Sequence, residues 1–405
     1  MTATREPTRT SLDLGPLGLD DGGTVLLSQT IRRAALVAGD VLDVRGEAPE
    51  LAVHGRAWCR AKGHGFTPAL HGFTLTVSRH DADRSVGAER AGHADARRHD
   101  AIAEVASPRW GLAARGALVD AATPAVRFGL DRRVDVWADE APGLYAQATA
   151  AQWDPATAIP WDTACAHDPA VEDAIVQVMT YLVENETAAL LVPARFLAQM
   201  HPHFREILQL LAVQLADEAR HIEVFTRRAR LFRDELGSSS AGGQASLQSL
   251  LDEPDYALAM FLLSVLGEGS FLSLLWFLHE HAPDAATKAV ARLAAQDEAR
   301  HVAFGLAHLE RHLGIEPALR ERLVAAVHRR HDALADTAGL NADVFDALVV
   351  IAAGSLAPQA IARGFAAVTE LVHDMDRGRR RRLQRLGFPE AEAAALSELH
   401  TRNFM

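Results

Sequence analysis

One pentapeptide occurs twice in this chain and constrains it more than any other feature. Asp-Glu-Ala-Arg-His stands at Asp217–His221, inside ADEARHIEVF, and again at Asp297–His301, inside QDEARHVAFG. Upstream of each copy runs an apolar stretch that carries an isolated acid, in ENETAALL (Glu184–Leu191) and in GEGSFLSLL (Gly267–Leu275). A duplicated helix pair is the simplest account of such a repeat. Two helix pairs make a four-helix bundle with a pseudo-two-fold axis.

The spacing inside each copy is chemistry as well as pattern. Residues i and i+3 of a helix share a face about one turn apart, so the Glu and His of Glu-x-x-His can reach one cation. Glu218 with His221 and Glu298 with His301 form two such pairs. One further acid from each upstream helix completes a set of four carboxylates and two imidazoles. Oxygen-rich sites with one imidazole per ion suit iron or manganese better than structural zinc. Four carboxylates also roughly balance two divalent charges; without metal, four acids in one core would repel and some would be forced to hold protons.

Helical phase selects the upstream acids. Glu268 lies on the stripe Phe261, Val265, Leu272, Leu275. In the first copy, Glu186 shares its stripe with Ile175, Met179, Leu182 and Ala189, whereas Glu184 falls with Gln177, Thr180 and Ala188. The apolar stripe faces a core, so Glu186 is the expected ligand. Metal-bound imidazoles usually give their other N–H to a carboxylate. Asp217 and Asp297 are the expected acceptors, each for the histidine of the opposite helix, with Arg220 and Arg300 as partners of the same aspartates. Ordinary surface ion pairs are the alternative for these four.

At the six ligand positions the sequence resembles the ferritin-like di-iron carboxylate superfamily, over roughly residues 150–312. The Asp-Glu-x-Arg-His pattern is similar to that of the bacterial multicomponent monooxygenase hydroxylases and the ribonucleotide reductase small subunits. Gln152–Asp162 (QWDPATAIPWD) looks like the lead-in of small-subunit-type proteins. The resemblance implies a cofactor of two Fe ions, or an Mn/Fe pair, that reacts with O2 on a small-molecule substrate, with electrons from an external donor. A hydroxylase, an N-oxygenase or an oxidase would fit. A ferritin-like iron-handling or peroxide-detoxifying protein is the alternative. The small subunits carry a radical tyrosine four residues after the first ligand histidine; here Phe225 holds that place and Gly305 its counterpart, so no tyrosyl radical is expected. Ala294 stands where related N-oxygenases often place a third histidine.

A second resemblance covers residues 10–78. The run TIRRAALVAGDVLDVRGEAPELAVHGRAWCRAKGHGF is similar to the TusA sulfur carriers, which are two-layer α/β sandwiches. Asp20 aligns with their sulfur-carrying cysteine, and Cys59 with a later position that carries no sulfur. A docking or scaffold role, in place of sulfur transfer, is the use this implies. Helices are expected at Ser28–Val37 and Glu50–Lys62, and strands at Asp40–Arg45 and Gly72–Ser78.

The organisation expected is therefore mainly α: a TusA-like α/β domain (1–80), a linker and lead-in (81–165) with a short helix at Asp135–Gln152, a ferritin-like four-helix bundle (166–315), and C-terminal helices (316–405). GSSSAGG (Gly237–Gly243) reads as a break between the helical blocks. Arg379–Arg382, four consecutive arginines, read as a solvated helix face. Ala257–Leu278 is long enough to span a bilayer, but with no second span of that quality it reads as a helix buried on all sides. No membrane partner is expected. A net charge of −12 argues against non-specific nucleic-acid binding. Two cysteines form neither a disulfide framework nor a zinc cluster. With no signal-like N-terminus, the cytoplasm is the expected compartment. A homodimer is left open.

Overall fold

A computed structural model describes residues 5–78, 87–96, 98, 100–334 and 342–401. The chain forms two compact units, one of residues 1–101 and 107–126, the other of 102–106 and 127–405.

The first unit is a small α/β layer pair. Strands β1 (Arg9–Asp13), β2 (Val41–Arg45), β3 (Gly65–Ala69) and β4 (Gly72–Thr76) form one sheet in the order β1-β2-β4-β3. β1 and β2 run parallel, and the other neighbours antiparallel. Helices α1 (Thr24–Arg33) and α2 (Leu51–Lys62) supply the second layer. Leu27, Ile31, Leu42, Val44, Leu51, Cys59, Phe73 and Leu75 form its core. Three sequence expectations need correction here. α1 starts before Ser28 and stops at Arg33, because the chain turns at Ala35 with a φ of 49°. β1 and β3 lie at the sheet edges, where exposure weakens the apolar alternation that betrays a strand. Part of the stretch read as a linker pairs as β5 (Glu89–Arg90) with β6 (Leu118–Val119); residues 81–86, 97 and 99 of that stretch lie outside the described residues.

The second unit is helical. The helix expected over Asp135–Gln152 is two, α3 (Arg133–Val136) and α4 (Ala141–Ala150), because Pro142 begins a new helix after the extended Trp137. Four long helices follow: α5 (Pro169–Leu197), α6 (Arg205–Ala229), α8 (Tyr256–Glu280) and α9 (Ala285–Ile315). α7 (Ala241–Leu251) lies in the connection between α6 and α8, capped by Ser240, whose hydroxyl accepts from the Gly243 amide. Short turns make α5–α6 and α8–α9 antiparallel hairpins, and the long connection between them is the hairpin–crossover–hairpin path of ferritin-like bundles. The C-terminal helices α10 (Leu319–Leu334), α11 (Ala342–Ala353), α12 (Pro358–Arg385) and α13 (Glu390–Thr401) complete the unit. α11 packs on α5, and α12 on α8. Their Val344, Leu348, Val368 and Leu371 share one apolar core with Ile175, Met179, Leu182, Leu274, Leu278 and Val290 of the bundle.

α8 is long and apolar enough to cross a membrane, and 83% of its most apolar window is buried inside the protein. Its second quarter, Phe261–Glu268, is wound as a π-helix. The arginine run is corrected in part: Arg380 and Arg381 are exposed as expected, but Arg379 is 1% exposed, and its guanidinium donates to the hydroxyls of Ser397 and Ser270 at 3.1 and 3.2 Å.

Candidate metal centre

The antiparallel hairpins set the registers that build the site. Glu186 lies three turns before the end of α5, and Glu218 nearly four turns into α6; Glu268 and Glu298 repeat the relation on α8 and α9. All six side chains singled out in the repeat meet at one level of the bundle. Glu186, Glu218, His221 and Glu298 offer ligand atoms within 4.8 Å of one another, and so do Glu218, Glu268, Glu298 and His301. Glu218 and Glu298 belong to both groups. His221 Nδ1 lies 3.2 Å from Glu218, 3.3 Å from Glu298 and 3.8 Å from Glu186. His301 Nδ1 lies 3.0 Å from Glu218 and 3.4 Å from Glu298. Glu184, the alternative acid, is half-buried away from this group and lines a different hollow beside Gln177 and Tyr181.

The donor set fits a pair of cations. Glu218 Oε1, Glu268 Oε2, both Glu298 oxygens and His301 Nδ1 are buried and have no hydrogen-bond partner of good geometry among the described residues. Groups so placed carry a desolvation cost unless something binds them. Burial, together with the charges of Glu218 and Glu298, pushes Glu186 well above the ordinary carboxylate range. Burial and Glu298 do the same to Glu268. Burial opposes ionisation of Glu218 as well, but the two imidazoles at its oxygens outweigh it and hold this carboxylate below the usual range. Burial disfavours charge on His221 and His301, yet the surrounding acids raise both well above the usual imidazole value. The chain alone thus balances this charge with protons, where two divalent ions would replace them.

Behind the imidazoles the aspartates cross over. His221 Nε2 faces Asp297 at 3.2 Å, and His301 Nε2 faces Asp217 at 3.4 Å. An N–H at Nε2 in each ring leaves the Nδ1 lone pair aimed at the centre. Arg220 donates to both aspartates, at 2.9 Å to Asp297, and Arg300 donates to Asp297. Two further residues belong to this layer and carry no periodic signal that would mark them. Gln152 donates to Asp217 at 2.9 Å and accepts from Arg220 at 2.7 Å. Trp153 Nε1 donates to Asp297 at 2.8 Å, and the Arg220 guanidinium lies 4.5 Å from its ring centroid. Both sit in QWDPATAIPWD, whose similarity to a lead-in segment was the one available clue. Gln214, one turn before Glu218, was also missed; its amide donates to Glu268 at 3.4 Å.

The two tyrosine-equivalent positions are filled differently. Phe225 is fully buried, its ring 6.1 Å from that of His221. Gly305 admits the π stretch of α8: a Cβ there would lie 2.7 Å from the Ser264 Cβ. Of the small residues near Glu268, Gly267 borders a hollow beside the carboxylates, while Gly269 and Ser270 face arginines of α12. That hollow, about 20 Å³, is lined by Asn185, Glu186, Glu268 and Glu298 and closed by Ala189, Leu247, Leu250, Leu263 and Phe271.

No protein-family model and no curated protein matches the chain. Solved structures do. It is similar to a protein with aldehyde deformylating oxidase activity from Synechococcus, at 18% identity over 56% of this chain and 96% of that one, with a TM-score of 0.40. It is similar to the R2-like ligand-binding oxidase of Sulfolobus acidocaldarius, at 17% identity over 59% and 91%, TM-score 0.40. A further R2-like ligand-binding oxidase, with an aerobically reconstituted Mn/Fe cofactor, aligns at 16% identity over 66% and 91%, TM-score 0.39.

Glu186→Ala is expected to lower bound iron to one ion or none per chain. Glu184→Ala is expected to leave loading unchanged. Metal analysis after gel filtration checks both, and the reverse pattern would overturn the choice of Glu186.

Proposed function

We propose that the chain is an O2-dependent non-haem di-iron enzyme, an oxidase or oxygenase acting on a small, largely apolar organic substrate. Glu186 and His221 would hold one ion, Glu268 and His301 the other, with Glu218 and Glu298 shared. Bound there, two irons would supply binding and reduction of O2 and oxidising power toward a substrate. The chain's own part is to hold the site rigid and dry. Asp297 and Asp217 fix the imidazole orientations, and Arg220, Gln152 and Trp153 fix the aspartates. Leu247, Leu250, Leu263 and Phe271 keep bulk water off the carboxylates. No flavin or nicotinamide fingerprint is visible in the sequence, so electrons come from an external donor.

The apolar hollow against Glu186, Glu268 and Glu298 carries the enzymatic reading over the iron-storage one. A site that passes ions through needs a polar way in, whereas this hollow, walled by leucines and a phenylalanine, has room for a molecule the size of O2 beside the carboxylates. The test is to load iron without oxygen, reduce it, and add 18O-labelled O2 with candidate substrates. Two irons per chain and label or unsaturation in an organic product are expected. Iron accumulating far beyond two per chain as ferric mineral would establish the storage reading instead.

The first unit we read as a TusA-like docking unit. Asp20 lies exposed in the turn before α1. Cys59 is fully buried in α2, and burial pushes its thiol up to about 11, far from a reactive thiolate at neutral pH. Cys59→Ser is expected to leave turnover unchanged; a persulfide on Cys59 during turnover, seen by mass spectrometry, would contradict this.

A further inference from the structure

The arginine run of α12 reaches the metal centre from behind. Arg382 Nε donates to the Val265 carbonyl at 2.6 Å. Val265 sits in the π-helical stretch, and its carbonyl is the one that winding leaves over. In an α-helix the Gly269 amide would bond four residues back to Val265. Here it bonds to Ser264, five residues back. A π insertion strands one acceptor in this way, and a buried acceptor needs a donor from elsewhere.

The approach depends on Gly269. Its backbone is ordinary helix, with φ −59° and ψ −28°, so the glycine is not there for conformational freedom. A Cβ at that position would lie 2.4 Å from Arg382 Nε and 2.5 Å from Cζ. Glycine therefore opens the helix surface to the flat guanidinium. Burial and the neighbouring Arg379 and Arg381 bring Arg382 down to about 9, so it stays charged at neutral pH and its hydrogen bond is charge-assisted. Glu268 is the last residue of the π stretch, directly between Val265's turn and Gly269.

We propose that Arg382 is a positioning residue of the metal centre: it caps the carbonyl freed by the π stretch and so fixes the turn that aims Glu268 at Glu298 and His301. The proposal rests on Glu268 being a metal ligand, as read above. It also makes α12 a working part of the site and explains the half-buried end of an arginine run that looks like surface.

The test uses the full chain with Arg382→Met, Arg382→Lys and Gly269→Ala, read in two ways. In the metal-free protein, hydrogen exchange over Phe261–Ser270 is expected to rise about tenfold in Arg382→Met, the weight of one buried charged hydrogen bond. Exchange over α6 should stay at the wild-type rate. In the iron-loaded protein, Mössbauer spectra are expected to show one iron changed, that of Glu268 and His301, and the other unchanged. Arg382→Lys should restore both readouts in part, since an ammonium can also cap a carbonyl. Gly269→Ala should mimic Arg382→Met while leaving the guanidinium in the chain, which keeps the test open if Arg382→Met folds poorly. Wild-type exchange and spectra in both Arg382→Met and Gly269→Ala would overturn the proposal. A wild-type protein that loads no iron pair overturns the metal reading instead, and the metal-free exchange rates still decide the cap.

Discussion

Glu218→Ala is expected to strip both metals, not one. Glu218 lies between the two imidazoles, 3.2 Å from His221 and 3.0 Å from His301, and it belongs to both ligand groups. Removing it takes an anionic donor from each position at once. Loss of an outer-layer partner of a metal ligand already costs about 10- to 100-fold in affinity; loss of a shared ligand should exceed about 100-fold at both positions. Iron per chain after gel filtration should fall from two to near zero, with helical circular dichroism retained. Asp297 also accepts from Arg220, Arg300 and Trp153, but among the six ligand candidates it meets only the far side of His221, so Asp297→Ala should stay within the smaller range. Full loading of the Glu218 variant would sink the shared-ligand assignment.

Arg228→Met is expected to cost more stability than any other single change at the bundle's end. Arg228 is fully buried and donates twice to Glu172 at 2.8 Å, to Asp284 at 2.6 Å and to Thr287 at 2.6 Å. It ties the start of α5 and the start of α9 to the end of α6. Removing one partner of a buried ionic group leaves uncompensated charge and costs about 3–5 kcal/mol. In a unit of this size that lowers Tm by about 10 °C. The pH dependence has a definite sign. Burial raises Asp284, but Arg228 and Thr287 outweigh it and hold the carboxyl below its ordinary value. In the native protein this contribution is present above about pH 4 and is lost as pH falls through the depressed value. Without Arg228, burial dominates and Asp284 rises, so protonation stabilises the variant. The deficit should therefore be smaller near pH 4 than at pH 7. A loss under about 1 kcal/mol at pH 7 in urea melts would show that the network contributes little.

How much of this was legible in the sequence depends on range. The pairs Glu218–His221 and Glu298–His301 are local, one helical turn apart, and their repetition made them conspicuous. Glu186 and Glu268 could be picked because a helix keeps one phase over several turns. The crossing of Asp217 and Asp297 followed from the pairing of two like helices. Arg382, Arg379, Trp153 and Gln152 were not legible in the same way. Each acts through a partner far away in the chain, and four arginines in a row look like solvent-facing residues until something buries Arg379 and half-buries Arg382. The π stretch leaves no compositional mark, because one extra residue in a turn changes no side chain. β1 and β3 hid for a different reason: at an edge, a strand need not alternate.

The crossed aspartates have a consequence for the ancestry of this fold. Asp297 serves the imidazole of the first copy, and Asp217 that of the second. Glu218 and Glu298 are likewise held in common. Neither half therefore carries a finished half-site: each lacks what the other supplies. A single helix pair of this kind would complete the centre only by meeting its twin about a two-fold axis. The present chain is in that sense a dimer whose subunits have been spliced together, and the splice freed each copy to diverge, as Phe225 and Gly305 already show.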